Sequence, residues 1–128
     1  MGANLEFQEA FGMFDDLIGM SHKSIGQCAG LASEACSRLG IDLPEWGEIC
    51  VSQAEAEIEN RKCLFQAIDT PEIGDLVHVR SMSNLHHVGV VVGKNEMLQS
   101  TERHGVHKIR LDHPWLSNRI IGYYRYVA

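Results

Sequence analysis

The sequence holds no run approaching the ~20 apolar residues of a membrane span. Its first twenty residues, "MGANLEFQEAFGMFDDLIGM", lack the basic start and apolar core of a secretory signal, and Asp15 and Asp16 break their most apolar part. The expectation is a protein made in the cytoplasm without an export signal and with no membrane contact. There is no CxxC pair, no HExxH and no paired Cys/His spacing, so neither a zinc site nor any other metal or cofactor is called for. The basic residues are scattered and the net charge is −6 with histidines neutral, which excludes a nucleic-acid groove. Repeats, low-complexity tracts and linkers are also missing, and 1–128 reads as a single domain.

What is there is enough apolar sequence, 45% of 128 residues, to bury one core. The first half has helical spacing. "NLEFQEAFGMFDDLIGM" repeats apolar residues at Leu5, Phe7, Phe11, Phe14, Leu17 and Ile18, which predicts a first helix. "CAGLASEACSRLG" sets Leu31, Ala32, Ala35, Cys36 and Leu39 on one face of a second helix, with Gly40 at its end. A third is expected over "EICVSQAEAEIENRK". The second half alternates as strands do in "DLVHVR", "HHVGVVVG", "EMLQS", "GVHKIRL" and "RIIGYYRYV". Helices followed by strands indicate an α+β domain with an antiparallel sheet.

Cys28 stands at the start of the second helix, where unpaired N–H groups and a partial positive charge favour a thiolate and lower a thiol pKa. Cys36 repeats on the buried face two turns later and reads as packing; Cys50 and Cys63, flanking the third helix, read as structural. A nucleophilic cysteine needs a base, and the base an orienting group. In "HHVGVVVG" alternation puts His87, Gly89, Val91 and Gly93 on one face and His86, Val88, Val90 and Val92 on the other. Gly89 leaves room for a helix backbone and the valines look like packing, so His87 is expected to face the helix and act as base.

Cys28 at a helix start, "GDLV" at Gly74 to Val77, "HVGVVVG" from His87 and the polar residue after an apolar pair in "MLQS" form an ordered set. This set resembles the NlpC family of papain-like cysteine peptidases, which act on bacterial cell-wall peptides. "QCAGLASEACSRLGIDLP" is similar to that family's nucleophile helix, and "VHKIRLDHPWLSNRIIGYYRY" matches its ending. The resemblance implies a papain-like fold, with the nucleophile helix packed on a C-terminal antiparallel sheet. It also implies hydrolysis of amide bonds in peptidoglycan stem peptides. Cys28 would attack as thiolate, His87 would hold the thiolate and then protonate the leaving amine, and Gln99 would fix the imidazole.

Three positions depart from the family's pattern. Ser21 and His22 stand where many members have Pro-Tyr, and His22 is either a substrate-side donor to the oxyanion in the tyrosine's place or a surface-loop histidine. Gln27 and Ala29 flank the nucleophile where Asp and Ser are usual, and Gln27 lacks the charge that would meet a free peptide amine. The resemblance is greatest to phage and prophage tail members, implying peptidoglycan as partner, delivery to the cell wall in a virion tail and contact with phage tail proteins. An injected interbacterial amidase toxin with an immunity protein, or a catalytically weakened tail-assembly or wall-binding module, are the alternatives.

Gln99 depends on register. A regular two-residue turn at Lys94 and Asn95 would set it opposite Val90, facing away from His87, and make Ser100 or Glu102 the better partner. A bulge or wider turn near Gly93 to Met97 is therefore expected.

Overall fold

A computed structural model describes residues 12–43, 65–80 and 86–127, the side chain of His86 excepted. The expected third helix, Cys50 and Cys63 lie outside the described residues, as do residues 4–11 of the expected first helix.

The helix α1 spans Gln27–Arg38. Six strands follow: β1 (Phe65–Ile68), β2 (Leu76–Arg80), β3 (His86–Gly93), β4 (Glu96–Thr101), β5 (Gly105–Arg110) and, after the one-turn helix α2 (Pro114–Ser117), β6 (Ile120–Tyr126). They form one antiparallel sheet in the order β1-β6-β2-β3-β4-β5. The domain is α+β. Five strands lie where alternation put them; β1 and α2 carry too few residues for a periodic signal.

α1 buries the stripe its spacing predicts: Cys28, Leu31, Ala32, Ala35 and Cys36. It ends as Gly40 requires, because the left-handed Gly40 (φ 80°) lets its own N–H reach Ser37 O and that of Ile41 reach Cys36 O. The segment before it departs from expectation. Residues 12–19 make successive turns with i→i+3 bonds, Asp15 to Gly12 and Leu17 to Phe14 among them, instead of an α-helix. Gly12 and Gly19, both at positive φ, bracket the stretch and break the helical path. Phe14 and Leu17 are buried in the helix-side core, while Ile18 is exposed.

Each face of the sheet has its own core. Leu76, Val88, Val90, Val92, Leu98 and Val106 pack with α1, and Val77, Val79, Val91, Met97, Leu111 and Leu116 form the cluster on the other face. The expectation for β3 is thereby overturned. The valine face meets α1, and His87 shares the opposite face with Gly89 and Val91. Gly89 is needed for a different neighbour: a Cβ there would lie 2.7 Å from Met97 Sδ and 3.0 Å from Leu98 O, both on β4. The close approach is strand to strand.

The "GDLV" segment clamps the start of β2. Asp75, 1% exposed, accepts from Arg125 of β6 through Nε (2.9 Å) and Nη2 (2.8 Å) and from the Glu72 amide (2.6 Å). A bidentate pair this buried is costly to break, because removing one partner strands the other's charge. Because Arg125 is itself partly exposed (29%) and also reaches Glu72, Arg125→Met is expected to lower stability by about 2–3 kcal/mol, below the scale of a fully buried pair. Urea unfolding at neutral pH measures it, and adding Asp75→Asn should recover part of the loss.

Candidate active site

The turn into α1 is built from short local bonds. Gln27 N–H donates to His22 O (2.8 Å), Ile25 N–H to Ser21 O (3.1 Å) and Gly30 N–H to Gly26 O (3.0 Å). Gly30 is fixed by packing, since a Cβ there would collide with the Ile25 carbonyl. Gln27, directly before the cysteine, sits at φ 64°, where a residue with a Cβ is strained by about 1–2 kcal/mol. Strain of this kind gathers at functional sites, where the surrounding structure holds it in place.

Cys28 follows in the first turn and is 2% exposed. The helix start predicts a lowered thiol pKa; instead it is raised. Burial is the first cause, opposed by N–H groups of Val88, Ala29 and Cys28 itself around the sulfur. Desolvation here outweighs the helix end. Cys36 is more extreme, pushed up to about 12 by burial and then by Asp75, with its thiol 3.7 Å from Gly74 O. It has no ring of amide donors and serves as core.

The Val88 amide beside the Cys28 sulfur is the peptide that joins His87 to Val88, so the thiol sits against the first peptide of the strand that carries the imidazole. His87 is buried, and burial holds its pKa down at about 4; the Gln99 side chain opposes that drop, while His22, His107 and His78 add to it. Among the described residues the thiol and the imidazole close no hydrogen bond with each other. His87 Nε2 and Gln99 Oε1 are both buried without a partner. Contacts of catalytic groups in a free enzyme are often long and tighten around substrate. Both groups are neutral at pH 7, which replaces the expected thiolate and imidazolium.

The register delivers Gln99 to the His87 face. Gly93 pairs with Glu96 across the two-residue turn Lys94–Asn95, and the register then shifts, so that Val91 pairs with Met97 and Val90 with Leu98. Continuing one step sets Gln99 opposite Gly89. The bulge therefore falls at Val92, before the turn and one residue ahead of the predicted stretch, and it brings Gln99 nearer His87 than a wider turn would have. The other candidates are elsewhere. Ser100 points to the helix side, where its Oγ lies 2.7 Å from His22 Nδ1, and Glu102 is exposed in the turn after β4.

His22 is half-buried, and desolvation lowers its pKa while Glu102 opposes the drop. Gln27 is exposed and Ala29 half-buried on either side of Cys28. One residue was missed altogether: His107 of β5 pairs with Gln99, its Nε2 2.9 Å from the Gln99 amide nitrogen. Nothing local in "GVHKIRL" marks it; only the strand register does. Among the described residues no group of three or more His, Cys, Asp or Glu is arranged to hold a metal ion.

With this arrangement in view, comparison with known proteins decides the family, which matches residues 18–125. The chain belongs to the NlpC/P60 family. NlpC/P60 proteins are generally cell-wall peptidases. Among solved structures, an NlpC/P60 protein from Bacillus cereus is similar at 19% identity, with a TM-score of 0.64, over 97% of this chain and 41% of that one. A protein described as similar to lipoprotein of the NLP/P60 family, from Staphylococcus aureus, is 18% identical, with a TM-score of 0.60, over 95% and 41%. NlpC2 from Trichomonas vaginalis is 19% identical, with a TM-score of 0.60, over 98% and 49%. At such identities the likeness shows the NlpC/P60 fold alone, and the chain spans less than half the length of each of these proteins. No curated protein matches it.

Proposed function

We propose that the chain is a cysteine peptidase that hydrolyses amide bonds in peptidoglycan stem peptides. The observation that carries this reading is the buried Cys28 thiol, ringed by backbone N–H groups and set against the peptide of His87, whose imidazole is held neutral beside Gln99. Neutral His87 accepts the thiol proton as Cys28 Sγ bonds to the carbonyl carbon, so charge separates only as the bond forms. The imidazolium then protonates the leaving amine, the C–N bond breaks and a thioester remains. Water, deprotonated by the same imidazole, hydrolyses it. The oxyanion receives the Cys28 N–H and, in the tautomer whose Nδ1 accepts from the Ser100 hydroxyl, the Nε2–H of His22.

A cleft of about 950 Å³ beside Gln99 and His107 fits such a substrate. Arg103, Lys108, Arg110 and Trp115 line it; Arg110 is paired with Asp112 (2.9 Å) and Lys108 lies within 4.0 Å of Glu96 and Asp15. A free carboxylate of a stem peptide would meet Arg103 there and compete for the other two. Gln27, without a carboxylate, makes an amidated or blocked amino terminus acceptable beside the nucleophile. Carriage in a phage tail or prophage particle is the delivery route we propose, on the resemblance of residues 111–126 to tail-associated members.

Digestion of purified peptidoglycan, read by mass spectrometry, tests the assignment. The expected products are fragments cut within the stem peptide, with one water added per cleavage and shared between the new carboxylate and amine ends, and with glycan strands intact. Intact stems after prolonged incubation, or cleavage confined to glycan bonds, would overturn it.

A further inference from the structure

We propose that His107 is a positioning residue for the candidate site, holding the Gln99 amide so that its carbonyl oxygen is turned toward His87. The inference rests on the peptidase reading and adds a fourth member to its chain of groups. His107 Nδ1 lies 2.9 Å from Gly105 O, and a carbonyl can only accept, so the proton of the neutral ring is on Nδ1. Nε2 is then an acceptor. It lies 2.9 Å from Gln99 Nε2, which can only donate. The turned-over amide would set its oxygen against an unprotonated ring nitrogen, two acceptors face to face.

The consequence for the amide's other end follows directly. With Nε2 committed to His107, Oε1 is the end left for His87, and it is buried with no other partner. The β4 and β5 register holds the pair, since Gln99 and His107 are directly opposite and the strands pair on to Glu96 and Arg110. The order across three strands is thus His87 on β3, Gln99 on β4, His107 on β5, closed by the Gly105 carbonyl. Oriented in this way, Oε1 accepts from the His87 ring N–H and favours the tautomer whose other nitrogen takes the thiol proton. Charged or titratable groups that act on His87 come from each neighbouring element: His22 before α1, His78 on β2 and His107 on β5.

The test compares His107→Leu, which removes the acceptor, with His107→Gln, whose amide oxygen reaches the position of the ring Nε2. Two readouts are taken: steady-state cleavage of stem peptide, and the His87 titration by NMR in a Cys28→Ala background, which needs no turnover. His107→Leu should lower kcat by about tenfold, the scale of one hydrogen bond, with KM little changed. It should also move the His87 titration to lower pH, because losing the Gln99 bond outweighs relief of the smaller His107 repulsion. His107→Gln, which keeps the bond without the charge, should restore kcat and return the titration to the wild-type value or slightly above it. In a Gln99→Ala background His107→Leu should not lower kcat further and should no longer move the His87 titration downward. Independent, multiplying effects of the two substitutions, or an unmoved His87 titration in a folded His107→Leu protein, would overturn the proposal. Should His107→Leu fail to fold, His107→Asn replaces it, being too short to reach Gln99, and the same outcomes decide. If wild type cleaves nothing, the peptidase reading fails while the NMR arm still reads the positioning role.

Discussion

Cys28→Ala is expected to fold normally and to lose stem-peptide hydrolysis by at least about 10⁴-fold, the scale seen when a covalent nucleophile is removed. The sulfur is the only atom at this position that can form the thioester, and no neighbouring group can replace it. The structural cost is small by comparison. Removing one buried sulfur leaves a cavity smaller than most large-to-small core changes, at about 1 kcal/mol. Cys36→Ala supplies the contrast, since that thiol is fully buried, bonded to Gly74 O and held far from ionisation. It should lose stability and keep turnover. Product release and urea unfolding, measured on both variants, separate the two. Undiminished cleavage by a folded Cys28→Ala protein would remove the peptidase assignment.

His87→Ala should likewise reduce turnover by about 10³-fold or more, while His86→Ala retains most of it. Because His87 titrates near 4 and Cys28 above its ordinary range, the neutral pair spans a wide interval. The acid limb of kcat/KM should lie near pH 4, well below an unperturbed histidine at about 6.5, and the alkaline limb above about 9. The same burial links stability to pH. The unfolded chain binds a proton at about 6.5 and the folded one only at about 4, so the protein loses stability as pH falls between those values, by about 3 kcal/mol in all. Above pH 6.5 the contribution is complete, and His87→Ala should flatten this part of the curve. An acid limb near 6.5, or activity that survives His87→Ala and vanishes in His86→Ala, would move the base to the helix-facing side of β3.

Residue order alone carried much of this arrangement. Period-2 alternation located β2 to β6, and the stripe from Cys28 to Leu39 located α1 and the face it buries, because burial against a core writes its spacing into the chain. The helix predicted through Phe14 and Leu17 did not follow, because apolar spacing there competes with two glycines at positive φ and with turns that bury the same residues. The sense of the thiol pKa was also misread, since a helix end is visible in sequence and the degree of desolvation is not.

Which side of the sheet the helix covers is a separate matter. Alternation sorts His87 from His86 but is symmetric between the two faces, and only packing against Leu31, Ala32 and Ala35 selects the valines as the inner face. Register is equally silent in one strand taken alone. A single extra residue at Val92 returns Gln99 to the face of His87, and the β4 pairing with β5 then sets His107 against it. Residue order was therefore enough for α1, for β2 to β6 and for the fold class, and it singled out Cys28, His87 and Gln99 as candidates, because these depend on residue type and local spacing. The tertiary structure alone decided the protonation of the thiol and imidazole and the place of His107, because burial and cross-strand distance exist only once segments far apart in the chain have packed.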